Sequence, residues 1–305
     1  MPPTRLDLRK LEQFVAVVSA PSLAAAAEQT YITQQALSVS IRSLEREFGV
    51  ALFDRSRRKL ELTTAGRELF DRALPLLAGA DRMAAEVLRV AADEAETFTV
   101  GYSPAFSRDE IYALIDPVVH AHPDLSITVR QVYPAQMEPM LLDSDVDVVL
   151  RRGVATPDTL ACAIHSYQTL RIAVNASHEW AGRDRVDIAE LSGRPIVVWA
   201  PEHRSFYTDY LVSHCRRAGF DPTLIVSRIQ GVPPASAVVS YPDACAFVTD
   251  EAGTTLHGRV VVLDVAEPPL VPVQALWLPH TVCAPRTTLL TQRNPTTEHP
   301  SPATA

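Results

Sequence analysis

Residues 22–53 read SLAAAAEQTYITQQALSVSIRSLEREFGVALF, and their spacing decides how the rest of the chain is read. Ser22 fits a helix N-cap, since a hydroxyl there accepts from an unpaired backbone N–H of the first turn. Leu23 to Gln29 is alanine-rich and predicts a helix, with Ala24 and Ala27 small enough for a second helix to cross closely. Thr30-Tyr31-Ile32 breaks the run, and Thr33 is the next N-cap. Ala36, Leu37, Ser40, Ile41, Leu44 and Phe48 then recur at helical spacing and make one apolar face. The other face has Gln34, Gln35, Ser38, Arg42 and Arg46. Amides and hydroxyls at the start of such a helix can read base edges in a major groove, and arginines further along reach phosphate. An ordinary helical hairpin with a solvated polar face has the same spacing.

The flanks separate these two readings. Leu8 to Val18 supplies an upstream amphipathic helix (Leu8, Leu11, Phe14, Val15, Val18), so three helices can share one small core. Gly49 is placed as a C-terminal cap. Residues 52–62, LFDRSRRKLEL, put a basic turn between two short apolar runs. That pattern is a wing, whose Arg55, Arg57, Arg58 and Lys59 can follow the phosphate backbone or enter a minor groove. FVAVV, the stretch from Ser22 to Arg55, and LELTTAG together resemble the N-terminal winged helix-turn-helix of the LysR-type transcriptional regulators, over about sixty contiguous residues. Two positions depart from that pattern. The family often has proline where Gln35 stands and arginine where Val39 stands, so the recognition helix lacks one cation.

The 305-residue chain is long enough for two or three compact units, and 47% of its residues are hydrophobic. No apolar run is long enough to span a bilayer, and MPPTRLDLRKLEQ lacks the apolar core of a signal peptide. The expectation is a cytoplasmic, nucleoid-associated protein. Cys162, Cys215, Cys245 and Cys283 lack paired short spacing, so neither a zinc site nor a disulfide framework is indicated. Convergence of Cys215 and Cys245 in space would leave a redox switch open. The net charge of −8 is uneven: residues 1–60 hold nine Lys/Arg against six Asp/Glu, which puts +3 on the head and leaves −11 on the rest. A basic head on an acidic body directs only the head to phosphate.

Thr63-Thr64-Ala65-Gly66 begins a long helix, about residues 64–92. Leu69, Phe70, Ala73, Leu76, Leu77, Ala80, Met83, Ala84, Val87, Leu88 and Ala91 are too many apolar positions for an isolated helix in water. A twin helix from a second subunit would bury them. Pro75 and Gly79 fall inside, and the proline predicts a kink. In the family this helix forms an antiparallel pair, so the resemblance implies a homodimer, and beyond it a homotetramer acting on promoter DNA with RNA polymerase.

After Glu96 the pattern changes to short β runs alternating with helices. Strands are expected near residues 97–102, 126–132, 146–151, 170–174, 195–199, 224–226, 244–249, 260–263 and 271–278. Helices are expected near 108–122, 135–143, 188–191, 205–218, 232–240 and 286–292. Such alternation implies open parallel sheets with helices on both sides. The fold class is therefore α/β behind an all-α, winged head: residues 1–63 the winged helix-turn-helix, 64–92 the linker helix, and 93–290 a two-lobed, periplasmic-binding-protein-like effector domain. Its first lobe spans about 97–166 and 264–290, its second about 167–263, and 291–305 is a polar tail expected to be disordered. The same layout follows the linker helix in the LysR family.

Ligands in open α/β sheets sit at the carboxyl ends of strands, where helix N-termini present unpaired N–H groups. Ser103, Pro104 and Ala105 follow one strand, Val132 and Tyr133 a second, Arg151 and Arg152 a third. In the other lobe His203, Arg204, Ser205, Phe206 and Tyr207 precede or open a helix, and Gln230-Gly231-Val232 opens the next. Serine hydroxyls, arginines and aromatic rings suit a small carboxylate inducer with an apolar or aromatic body. Arg151 and Arg152 could equally pair with Asp145 or Asp147. RSFYTDYL is similar to the corresponding stretch in family members that sense intermediates of aromatic catabolism. No G-x-S-x-G, P-loop or G-x-G-x-x-G occurs among only 11 glycines, and the nine histidines lack metal-ligand spacing. The expectation is a ligand-responsive transcriptional regulator with no catalytic residues, cofactor or metal. A ligand-binding protein with a protein-interaction head, or an α/β enzyme, are the alternatives.

Overall fold

The computed structural model describes residues 6–54, 60–153, 157–229, 232 and 234–291, which divide into two compact units. In the first unit every helix starts on a polar side chain. Asp7 caps α1 (Leu8–Ser19), Ser22 caps α2 (Leu23–Gln29), and Thr33 caps α3 (Gln34–Phe48) by accepting from the Ala36 N–H at 3.1 Å. Gly49 ends α3 at φ +70°, a left-handed conformation that suits glycine. Leu11, Phe14, Val17, Ala26, Ala27, Leu37, Ile41 and Leu44 form the core, and the Phe14 and Phe53 rings lie 5.5 Å apart. Ala24, Ala36 and Leu8, expected inside, face solvent, and Ala26 and Val17 take their share of the core. A seven-residue helix has fewer than two turns, too few for spacing to fix which alanines point inward.

The wing is a hairpin of β1 (Phe53–Asp54) and β2 (Glu61–Leu62), tied to α3 by Glu45, whose Oε1 accepts from the Leu52 N–H at 3.0 Å. Its turn, with Arg55, Arg57, Arg58 and Lys59, lies outside the described residues. Helix α4 (Thr64–Ala91) follows, capped by Thr63. Gly66 is needed there, because a Cβ would collide with the Leu52 carbonyl oxygen. Helix α4 runs through Pro75 and Gly79 without a break, and the Pro75 ring is buried. The apolar stripe divides in two: Leu69, Phe70, Ala73, Leu76 and Leu77 pack onto the core of the head. Met83, Val87, Leu88 and Val90 lie exposed. The first half of the stripe, expected on a twin helix, is thus partly covered by the head, and the second half is left exposed.

The second unit contains, in order, β3 (Thr97–Tyr102), α5 (Arg108–Ala121), β4 (Ser126–Gln131), α6 (Pro134–Leu142), β5 (Val148–Arg152), β6 (Ala161–Thr169) and β7 (Arg171–Asn175). Then come β8 (Arg185–Val186), a 3-10 turn at Ile188–Leu191, β9 (Pro195–Val198), α7 (Phe206–Arg217), β10 (Thr223–Val226) and a 3-10 turn at Pro234–Ser240. It ends with β11 (Cys245–Val248), β12 (Gly253–Thr255), β13 (Val260–Val265), β14 (Leu270–Trp277) and α8 (Ala284–Thr291). The last 3-10 turn stands where an α-helix was expected over residues 232–240.

Two sheets result. One has the order β4-β3-β5-β14-β6, the other β10-β9-β11-β7-β13-β12 with β8 beside β13. Neither is fully parallel, contrary to the alternation of strands and helices. β3, β4 and β5 are parallel, as are β9, β10 and β11, whereas β14 opposes β5 and β6, and β7 opposes β11 and β13. The chain passes from the first sheet to the second through Leu170 alone and returns over residues 266–269. Cys215 and Cys245 sit in one buried cluster of the second sheet.

Candidate functional site

Two surfaces collect the side chains that sequence singles out. The first is the outward face of α3. Leu37, Ile41 and Leu44 point into the core, so at 100° per residue Gln35, Val39, Arg42 and Arg46 line the opposite side, all exposed. Gln34 is exposed on the first turn, and Ser38 is half-buried, donating its hydroxyl to the Gln34 carbonyl at 2.9 Å. Thr33 is exposed and spends its hydroxyl oxygen on the cap. Arg46 Nε donates to the Arg42 carbonyl at 3.3 Å, which leaves the rest of both guanidinium groups facing solvent.

The second is a cleft of about 230 Å³ within the second unit, lined from both sheets. Ser103, Pro104 and Ala105 follow β3, and Arg151 and Arg152 end β5. Trp199, Ala200, Arg204, Ser205, Phe206, Tyr207 and Thr208 come from the loop after β9 and the start of α7. Tyr133, Pro134, Ala135 and Met137 at the start of α6 complete the wall. Val132 does not reach it: it is fully buried, and its N–H donates to the Tyr102 carbonyl at 2.8 Å. Gly231 lies outside the described residues.

The adjacent arginines differ in what they have left to give. Arg152 is 2% exposed and fully engaged. Its Nε donates to the Ala105 carbonyl at 3.0 Å, its Nη1 to Gln168 Oε1, and its Nη2 to Glu110 Oε1 at 2.7 Å and Thr249 Oγ1 at 2.6 Å. Its guanidinium lies 4.3 Å from the Phe106 ring centroid. Because Thr249 follows β11, this arginine ties the two sheets together. Arg151 Nε donates to Gln274 Oε1 at 2.9 Å, but its Nη2 is buried without a partner. Burial pulls the Arg151 guanidinium down to about 10. The Phe206 ring, half-exposed on α7, lies 4.9 Å above it. Among the described residues neither arginine pairs with Asp145 or Asp147.

Ser103 is the second unsatisfied group, with a buried hydroxyl and no partner. An unpartnered hydroxyl and a guanidinium with one buried, unpartnered nitrogen, lining one apolar cleft, are the donor set of an anion site. Ser205 caps α7 by accepting from the Thr208 N–H at 3.5 Å, which leaves its own hydroxyl proton available. Arg204 stands exposed, and burial pushes the Tyr207 hydroxyl up, so it stays protonated. Gly153, at φ +132°, lets Phe206 close over Arg151, since a Cβ there would lie 3.2 Å from the phenylalanine Cβ. Sequence reasoning missed Met137 and Gln274. Nothing local marks Gln274, which positions an arginine 123 residues away. A metal has a weaker claim: Glu202, His203 and Asp209 approach one another, but Glu202 is bound to Arg216 at 2.7 Å and Asp209 accepts from the His203 N–H.

Two family models cover this organisation. Residues 8–67 match the bacterial regulatory helix-turn-helix protein of the lysR family, and residues 91–292 match the LysR substrate binding domain. The chain belongs to the LysR family. This regulator is 28% identical over 222 residues to the uncharacterized HTH-type transcriptional regulator YnfL of Escherichia coli K12, covering 72% of this chain and 74% of that protein. It is 25% identical to the HTH-type transcriptional regulator BenM of Acinetobacter baylyi over 249 residues, 80% of each chain. A full-length OxyR variant of Pseudomonas aeruginosa superposes with a TM-score of 0.54 at 19% identity, covering 94% of each chain. Full-length CbnR in complex with its target DNA gives 0.52 at 19% identity, covering 93% of this chain and 97% of that one. At these identities the superpositions speak for the fold. The domain matches make this LysR-family chain a DNA-binding transcriptional regulator with an effector domain.

Proposed function

We propose that this regulator senses a small carboxylate, aliphatic or aromatic, in the cleft between its two sheets, and that the acid changes how the protein holds promoter DNA. The observation that supports this most is the pair of unsatisfied groups in one cleft, the Arg151 Nη2 and the Ser103 hydroxyl. A carboxylate accepts from both, and Phe206 from the other sheet covers its body. Charge-assisted bonds formed away from water are the strong ones. An acid held by groups from both sheets prefers the arrangement that brings them together, and it shifts the equilibrium by that preference. Pro104, Ser205, Tyr207 and Arg204 shape the remaining wall.

On the DNA side the reading helix is α3, with Gln34, Gln35, Ser38, Arg42 and Arg46 toward the groove, Thr33 holding its start, and the wing cations toward phosphate. The exposed half of α4 pairs with its twin to make a homodimer, and two dimers make a tetramer that acts on RNA polymerase at the promoter. Binding and release of an unchanged ligand, with no turnover, in the cytoplasm, completes the proposal.

Titration calorimetry with a panel of small aromatic and aliphatic acids and their carboxamides tests the cleft. Parent protein should bind at least one acid and not its amide, and Arg151→Met should bind neither. Equal affinity for acid and amide would remove the carboxylate from the proposal.

A further inference from the structure

On the outward face of α3, Val39 is 55% exposed. It lies on the line opposite Leu37, Ile41 and Leu44, with Gln35 one turn before it and Arg42 close to one turn after. The exposed methyl of Ala36 stands on the same side. A lone exposed valine on a surface has no special meaning. At the centre of a helix face whose other members are amides and guanidinium groups, it has one. Groups there meet base edges, and the apolar feature a base edge offers in the major groove is the thymine 5-methyl. Arginine at 39 would contact phosphate or guanine and reject a methyl. Valine does the reverse, because its isopropyl group and the thymine methyl both leave water on contact.

We infer that Val39 is a specificity-determining residue that packs against a thymine methyl in each half of the operator, flanked by polar contacts from Gln35 and Arg42. This rests on α3 being the reading helix. Among the described residues Val39 takes no part in the head's core cluster or in the caps of α3. Losing contact with one methyl removes burial of roughly 0.8 kcal/mol, which is on the order of a fourfold change in affinity.

The test starts from duplexes that the full-length protein selects out of a random-sequence pool. Each thymine of the selected site is then replaced by deoxyuridine, which keeps the hydrogen-bonding edge and removes only the methyl. Parent protein should lose on the order of fourfold in affinity at one thymine per half-site. Val39→Ala should bind more weakly but be indifferent to uracil at that same position, while Gln35→Ala keeps the parent's sensitivity there. Parent affinity unchanged by uracil at every position would overturn the inference while leaving α3 as the reading helix. Selection of the same sites by parent, Val39→Ala, Gln34→Ala and Arg42→Ala alike would overturn the placement of α3 itself, and the inference with it.

Discussion

Arg151 and Arg152 follow one another on β5, so their side chains leave the strand on opposite faces and meet different surroundings. Arg152 neutralises Glu110 and reaches Thr249; removing it leaves a largely buried carboxylate that keeps only its bonds from Thr249 and the Ser107 N–H. Arg152→Met should therefore cost about 2–3 kcal/mol, below the 3–5 typical of a broken buried pair because those two bonds remain. Arg151 points the other way. Its pKa is depressed by burial, so the charged form that exists at neutral pH is the destabilised one, and relief comes only above about 10. Arg151→Met should accordingly stabilise the ligand-free protein by about 1–2 kcal/mol, and a bound acid should reverse the order of parent and variant. Thermal unfolding of the three proteins with and without acid checks both signs. A destabilised, ligand-free Arg151→Met would mean that its hydrogen bond to Gln274 outweighs its desolvation. The thiols follow the same physics: burial pushes Cys215 up to about 11 and Cys245 up to about 12, so neither forms thiolate at neutral pH. A thiol reagent applied to folded protein should modify exposed Cys162 and leave Cys215 and Cys245 until denaturant is added.

Helix α4 shows most plainly what an element's sequence can tell. Its length and apolar excess are visible in the residues, but the stripe serves two partners in succession, and periodicity cannot divide a stripe between them. Leu77 packs on the core of the head, whereas Val87 and Leu88 have no cover in the single chain. Leu88→Asp with Val87→Asp should break the pairing through α4 and leave the head folded, seen as a mass below the parent's in light scattering and an unchanged helical signal in far-ultraviolet circular dichroism. Leu77→Asp should instead lower the stability of the head, because it puts a charge at a half-buried contact with the head's core. A mass unchanged by the double aspartate would place the interface elsewhere. The caps of α2 and α3 were legible because each rests on one side chain and its nearest backbone donors. β6 was not: ACAIHSYQT mixes small, polar and aromatic residues, and its strand character comes from eight cross-strand partners on β14, over a hundred residues later. The cleft was legible in part for the same reason. Ser103, Phe206 and the arginine pair stand at strand ends or helix starts, which local patterns mark. The choice between Arg151 and Arg152 depends on Glu110, Gln168, Thr249 and Gln274, which only the fold brings together.

Across the whole molecule the charge is divided, with +3 on residues 1–60 and −11 on the rest. Affinity for DNA should fall steeply with salt, because each phosphate neutralised releases counterions. Arg42→Ala should lower the slope of log affinity against log salt by about one and weaken all sequences alike, whereas Gln34→Ala should cost about 1–3 kcal/mol and blur base preference. If the two variants behaved identically, the division of α3 into base-reading and phosphate-holding residues would fail.

The measurement that bears most directly on the account is a footprint of the full-length protein on the DNA it selects, repeated across the acid panel for the parent and for Ser103→Ala combined with Arg151→Met. At least one acid should change the parent's footprint, the same acid should leave the double variant's footprint unchanged, and the two proteins should protect the same DNA when no acid is present. A double variant that responds to that acid at the parent's concentration would contradict it.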